Sequence, residues 1–310
     1  MNKRKVILAL SSIILSMPLW SQWAVIDPYQ TGSAIGVLFP QFNGWHGSGQ
    51  LGGFTQQKWN GFEGRPQNYH MFGDLYIPKA NSSLGGIVYT EIFGQTQSRV
   101  AAFNFTYRIH IGDLYLLPTI GYQRHQFVYK SNSSFPVDGI SSQGISETHT
   151  GNQLNGGLGF IYDKWYGAIH YNGYSNINPK WISTSLANQP WSTSFSIPAY
   201  YSAICGRSIT IKEWTFYKSI IARSNLRSIQ LDFNFNASYK RWMGGVRYML
   251  TDGLALGVGY DFLDRYRLSY SNVIGLSRIR RGSNGTHELA FRILLNSKTD
   301  HRILKNFALF

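Results

Sequence analysis

The pair best placed to move a proton is His287-Glu288, an imidazole and a carboxylate adjacent in the chain. Acid–base catalysis needs both groups within reach of one substrate atom. They open a run that alternates apolar and polar residues, and successive strand side chains point to opposite faces. The pair is therefore split between two faces. His46, His110, His125 and His170 are scattered without the spacing of metal ligands, and no serine and histidine form a hydrolase signature. The glycine pairs Gly52-Gly53, Gly85-Gly86, Gly156-Gly157 and Gly244-Gly245 do not stand between a strand and a helix, so they make no phosphate loop. Within strands, glycine marks a bend or a close backbone approach. No enzyme, metal site or cofactor is expected.

Two features remain for binding chemistry. Arg278, Arg280 and Arg281 form a basic run in the last long connection. Such a patch draws anions: outer-membrane lipid phosphates, or an acidic segment of a partner. Nucleic acid is not expected as a partner, since the chain reads as exported. Cys205 is the sole cysteine and forms no disulfide within the chain.

The elements that carry these residues follow from composition. Of 310 residues only 14% are charged while 15% are aromatic, with 32 glycines. Mean hydropathy is only −0.19. A helical membrane protein is far more apolar, and a soluble enzyme usually carries more charge. Few charges, many aromatics and a neutral average suit a barrel whose residues face lipid and lumen in turn.

The N-terminus reads as an export signal. Lys3, Arg4 and Lys5 precede the apolar stretch 6–15, and Met17-Pro18-Leu19-Trp20-Ser21 reads as a cleavage region ending at Ser21. The stretch is shorter than the ~20 residues of a spanning helix. Any crossing of the membrane then falls to strands.

Alternation fills the rest. Ala101, Phe103, Phe105, Tyr107, Ile109 and Ile111 oppose Asn104, Thr106, Arg108 and His110. Leu231, Phe233, Phe235, Ala237 and Tyr239 oppose Asp232, Asn234, Asn236 and Ser238, and Leu289, Phe291, Ile293 and Leu295 oppose Glu288 and Arg292. The pattern predicts an all-β fold, a transmembrane antiparallel β-barrel of about 14 strands of the outer-membrane type. They are placed at 49–59, 67–77, 83–93, 98–111, 114–127, 152–163, 165–176, 200–211, 213–223, 228–240, 241–251, 253–264, 266–275 and 284–295. Tyr69, Trp165, Trp214 and Trp242 bracket strands as interfacial aromatics do.

The connections sort by length. Gly112-Asp113, Asp163-Lys164, Lys212-Glu213, Lys240-Arg241 and Leu263-Asp264-Arg265 are minimal, whereas 128–151, 177–199 and 276–283 are long and polar. Barrels of this kind keep tight turns in the periplasm and long loops outside. Fourteen strands also enclose a lumen too wide for wall side chains alone to fill. Inward polar residues Asn104, Arg108, Asp232, Asn234, Arg265, Arg267, Glu288 and Arg292 are expected to hold a plug or a partner segment. The expected organisation is a signal peptide at 1–21, a periplasmic or plug segment at 22–48, the barrel at 49–295 and a C-terminal tail at 296–310.

Gly52-Gly53-Phe54-Thr55-Gln56-Gln57-Lys58-Trp59, then Gly64-Arg65-Pro66-Gln67-Asn68-Tyr69 and Asp74, resembles the opening of the PorP/SprF family. The likeness runs on through Gly85-Gly86-Ile87-Val88-Tyr89, Phe105-Thr106-Tyr107-Arg108-Ile109 and Gly156-Gly157-Leu158-Gly159-Phe160 before Trp165-Tyr166-Gly167. It closes with Gln230-Leu231-Asp232-Phe233-Asn234 and Gly244-Gly245-Val246-Arg247-Tyr248. Asp27-Pro28 matches the family's opening pair, while 40–44 departs from its pattern. The resemblance implies a barrel of the type IX secretion system of Bacteroidota. It also implies partners in the secretion machinery, either its periplasmic ring or peptidoglycan-linked components, and a secreted surface protein such as a gliding adhesin. From the residues alone, a passive channel or uptake porin for anionic solutes stays open as the alternative.

Overall fold

The computed structural model describes residues 28, 35–130, 146–173, 175–177, 195–197, 199–250, 252–263, 265–276 and 282–295. The signal peptide expected at 1–21, the tail expected at 296–310 and the run Arg278, Arg280 and Arg281 lie outside the described residues.

The strands are β1 (Gly49–Gln57), β2 (Gln67–Ile77), β3 (Ser82–Phe93), β4 (Thr96–Tyr107), β5 (Ile109–Ile111), β6 (Leu114–Lys130), β7 (Ser146–Tyr162) and β8 (Trp165–Asn172). After a small hairpin, β9 (Ser175–Ile177) with β10 (Phe195–Ile197), come β11 (Tyr200–Ile211), β12 (Trp214–Ser224) and β13 (Ile229–Tyr239). The chain continues with β14 (Trp242–Met249), β15 (Gly253–Phe262), β16 (Tyr266–Gly275) and β17 (Thr286–Leu294). Each wall strand pairs antiparallel with its neighbour, and β1 pairs with β17. With β4 and β5 counted as one strand, the sheet closes into a barrel of 14 strands, leaving no wall edge unpaired.

The strand that alternation places at 98–111 is interrupted at Arg108. Thr106 pairs Thr119 and Ile109 pairs Leu116, so register is kept across the gap. The residues opposite the gap include Pro118, which has no N–H to give the ladder. The strands that sequence places at 114–127 and 152–163 are also too short: β6 runs on to Lys130, and β7 begins already at Ser146. The alternation does not mark where those strands end, because long polar strands can outrun the apolar band.

Burial is inverted relative to a soluble protein. In β13, Asp232 and Asn234 are buried while Phe233 and Phe235 are exposed. Met71 is 69% exposed and Ile169 is 66% exposed, as lipid-facing residues are. Trp165, Trp214 and Trp242 each start a strand and face outward at one rim; Tyr69, the third residue of β2, faces outward near the other. The rim with the tryptophans carries only short connections, 78–81, 112–113, 163–164, 212–213, 240–241 and 263–265. Asp163, Lys212 and Lys240 hold φ values of 49°, 55° and 53° there, a backbone shape that follows the right-handed strand twist through a tight turn. The opposite rim carries 131–145, 173–199 and 276–285, but also the short connections 94–95, 225–228 and 250–252. Length therefore sorts strictly on one rim only.

Candidate functional site: the lumen and the segment inside it

The chain ahead of β1 lies against the inner wall. Ile35–Leu38 forms one turn of α-helix, Pro40–Phe42 a 3-10 turn, and every residue from 39 to 50 is buried. Pro40 presets the first 3-10 position, and Gly44 and Gly47, at φ 66° and 75°, let the chain double back before β1.

Spacing decides which side chains anchor it. Phe39, Phe42 and Trp45 recur every three residues, the 3-10 period, and pack on Leu117, Ile161, Tyr166, Ile204, Tyr217 and Ile221 of the wall. The rings of Phe42 and Tyr166 meet edge to face, centroids 6.0 Å apart. One arc of the lumen is thus apolar. Alternation does not reveal it, because Leu116-Leu117, Phe160-Ile161 and Ile220-Ile221 are apolar on both faces.

Main-chain groups of the segment are met by wall side chains. Thr106 Oγ1 donates to the Pro40 carbonyl at 2.9 Å, and the Gly44 N–H donates to Asp74 Oδ1 at 2.8 Å. Arg108 donates to the Gly44 carbonyl and lies over the Tyr76 ring, 3.6 Å from its centroid. Gln41 Nε2 donates to the Ile169 carbonyl at 3.2 Å and lies 3.1 Å from His170 Nδ1. His46 and Arg292 approach to 3.5 Å, and Arg247 Nη1 donates to the Pro28 carbonyl at 2.8 Å. Buried main-chain groups must find such partners.

Charge is balanced in small groups. Asp232 takes hydrogen bonds from both Arg223 and Arg247, the latter at 2.6 Å, and all three side chains are buried. Arg267 grips Asp261 with two bonds, 2.6 and 2.7 Å, the fork geometry that suits arginine and carboxylate. Glu288 accepts from Gln56 at 2.6 Å.

Of the inward residues that sequence points to, Arg108 and Arg292 meet the segment, and Asp232 meets it through Arg247. Arg267 and Glu288 are buried but engage wall residues, and Arg267 stands in register with Arg292. Asn104 and Asn234 are buried on the inner face. Arg265 is a correction: it stands exposed in the 263–265 turn, its carbonyl accepting from Leu294 N–H, because β16 begins only at Tyr266. The missed residues are Asp74, Arg223, Arg247 and Gln41. With only 15 acids in the chain, each acid on an inward strand position is a signal that a cation or amide must face it.

This architecture is shared with known barrels. Omp33, an outer-membrane protein of Acinetobacter baumannii, superposes with a TM-score of 0.50 at 7% identity, covering 80% of this chain and 97% of that one. The toluene transporter TodX of Pseudomonas putida gives 0.44 at 12% identity, covering 79% and 87%. At such identity the likeness to Omp33 shows the fold alone, an outer-membrane β-barrel. No curated protein matches the sequence. The family model described as type IX secretion system membrane protein PorP/SprF matches residues 21–293. That span takes in β1 to β16 and nearly all of β17, together with the segment that Arg108, Asp74 and Arg292 hold. The chain belongs to the PorP/SprF family of type IX secretion system membrane proteins.

Proposed function

We propose that this outer-membrane barrel is a non-enzymatic part of the type IX machinery that supports export or anchoring of a surface protein, such as a gliding adhesin. In this reading residues 35–48 plug the lumen and the outer loops receive the partner. The observation that carries it is the unbroken burial of residues 39–48 against the inner wall, with inward polar side chains such as Asp232, Arg247 and Arg292 equally shut from solvent. A water-filled pore leaves its lining side chains wet. The passive porin for anionic solutes draws no comparable support.

Deleting the gene tests the reading. The surface proteome is expected to lose one or a few large proteins while general outer-membrane content is kept. An unchanged surface proteome, together with steady open conductance of the purified barrel in planar bilayers, sinks it in favour of a channel.

A further inference from the structure

Arg207 and Lys218 face each other directly across β11 and β12 on the outer wall. Both are exposed. Their outward neighbours along and across the strands are Cys205, Ile209, Phe216, Ile220 and Phe235. Like charges directly opposite on one face destabilise a sheet, and cations among lipid-facing apolar groups cost more with depth. Among the described residues no carboxylate lies within ion-pair distance of either. Glu213, in the turn between the two strands, stands 3.6 Å from Lys240 instead.

The pair has a defined depth. Trp214 opens β12 at the short-turn rim, and Lys218 lies about 10 Å further along the barrel axis at ~3.3 Å per residue and a usual tilt. A lysine stem can bring its ammonium back towards that interface. On its other flank Arg207 pairs in register with Trp165, the guanidinium carbon 5.2 Å from the ring centroid, and exposed Lys164 precedes Trp165 in the turn.

We infer that Arg207, Lys218, Trp165 and Lys164 form a binding site for the phosphate of an anionic phospholipid in the leaflet at the short-turn rim, the periplasmic one in such barrels. The phosphate accepts from the guanidinium and the ammonium together and so removes a repulsion that the protein leaves uncompensated. Trp165 fixes the guanidinium plane beside it. Ile220 and Phe233, one residue pair further from the short-turn rim, offer the acyl chain an exposed apolar wall. The site lies outside the lumen and is independent of the proposed secretion role.

Native mass spectrometry of the full-length purified barrel, delipidated and titrated with dioleoyl phosphatidylglycerol or dioleoyl phosphatidylcholine, tests it. The wild type is expected to retain phosphatidylglycerol roughly ten-fold better, as two cations at a membrane surface allow. The double variant Arg207→Gln, Lys218→Gln is expected to retain both lipids alike. Lys240→Gln, which removes a cation already facing Glu213, is expected to keep the wild-type preference. Heat-modifiable gel migration checks that each variant is folded. Should the double variant fail to assemble, Lys218→Gln alone is read the same way, since Arg207 keeps its Trp165 contact. No preference in the wild type, an undiminished preference in the folded variants, or an equal loss in Lys240→Gln overturns the site.

Discussion

Arg247 donates through Nη1 to the Pro28 carbonyl at 2.8 Å, while its Nη2 donates to Asp232 at 2.6 Å. One guanidinium thereby joins the chain ahead of the barrel to an acid on the neighbouring strand. Arg223 shares the same carboxylate oxygen, so a single buried anion serves two buried cations. Removing one member of such a group is costly because the others stay buried without their counter-charge.

Asp232→Ala is therefore expected to destabilise the folded barrel by about 3–5 kcal/mol. Arg223→Met leaves a one-to-one pair of Asp232 with Arg247 and is expected to cost clearly less. Urea unfolding in lipid vesicles, followed by tryptophan fluorescence, separates the two. Equal losses would show that the charges do not act as one group.

The inverted burial pattern makes a second prediction. Met71 sits mid-strand on the outer wall at 69% exposure, whereas Ile111, at 58%, ends β5 beside the short-turn rim. Arginine at Met71 is expected to cost about 2–4 kcal/mol and at Ile111 about 0–1 kcal/mol, since the penalty falls towards the interface. The same urea titration measures both. A larger cost at Ile111 would invert the assigned depth.

The rim pair of Lys240 and Glu213 provides a pH control. Glu213 raises the lysine above its ordinary value. A raised cation contributes its stability below the unfolded value and loses it as pH climbs through the folded one, far into the alkaline range. Both side chains are 60% exposed, and water screens such a pair. Lys240→Gln is accordingly expected to leave the urea midpoint unmoved around neutral pH. A shift there would mean that the turn is more enclosed than its exposure indicates.

What sequence reveals here follows from where the two faces of a strand differ. Phe233 and Phe235 against Asp232 and Asn234 announce a strand and its inner face together. Ile220-Ile221 and Leu116-Leu117 announce a strand but not which residue faces in, so the apolar arc that receives Phe39, Phe42 and Trp45 was not legible. Alternation carries no mark of its own end, which is why Arg265 reads as inward yet lies in a turn. Partners such as Asp74 for Gly44, or Arg247 for Pro28, depend on how the segment ahead of β1 seats against the wall. No local propensity encodes that seating. The family likeness, by contrast, was readable because its motifs recur in order along the wall strands, and the matching span of 21–293 bears it out.

The seating itself can be tested through its aromatic anchors. Phe42 and Trp45 are each 2% exposed and lie in the apolar cluster with Tyr166, Ile204 and Ile221. Truncating a buried aromatic costs about 3–5 kcal/mol where the surroundings cannot collapse, and a rigid barrel wall cannot. The hydrogen bonds from Thr106, Arg108 and Gln41 remain in such a variant, but each net bond contributes only about 0.5–1.5 kcal/mol, or about 1.5–3 kcal/mol where the donor is charged. Phe42→Ala with Trp45→Ala is therefore expected to release the segment while the closed sheet, held by the β1–β17 ladder, persists. In planar bilayers the wild type is expected to be silent and the double variant to show long open events. A silent variant whose heat-modifiable migration is intact would mean that the lumen is closed by something other than residues 35–48.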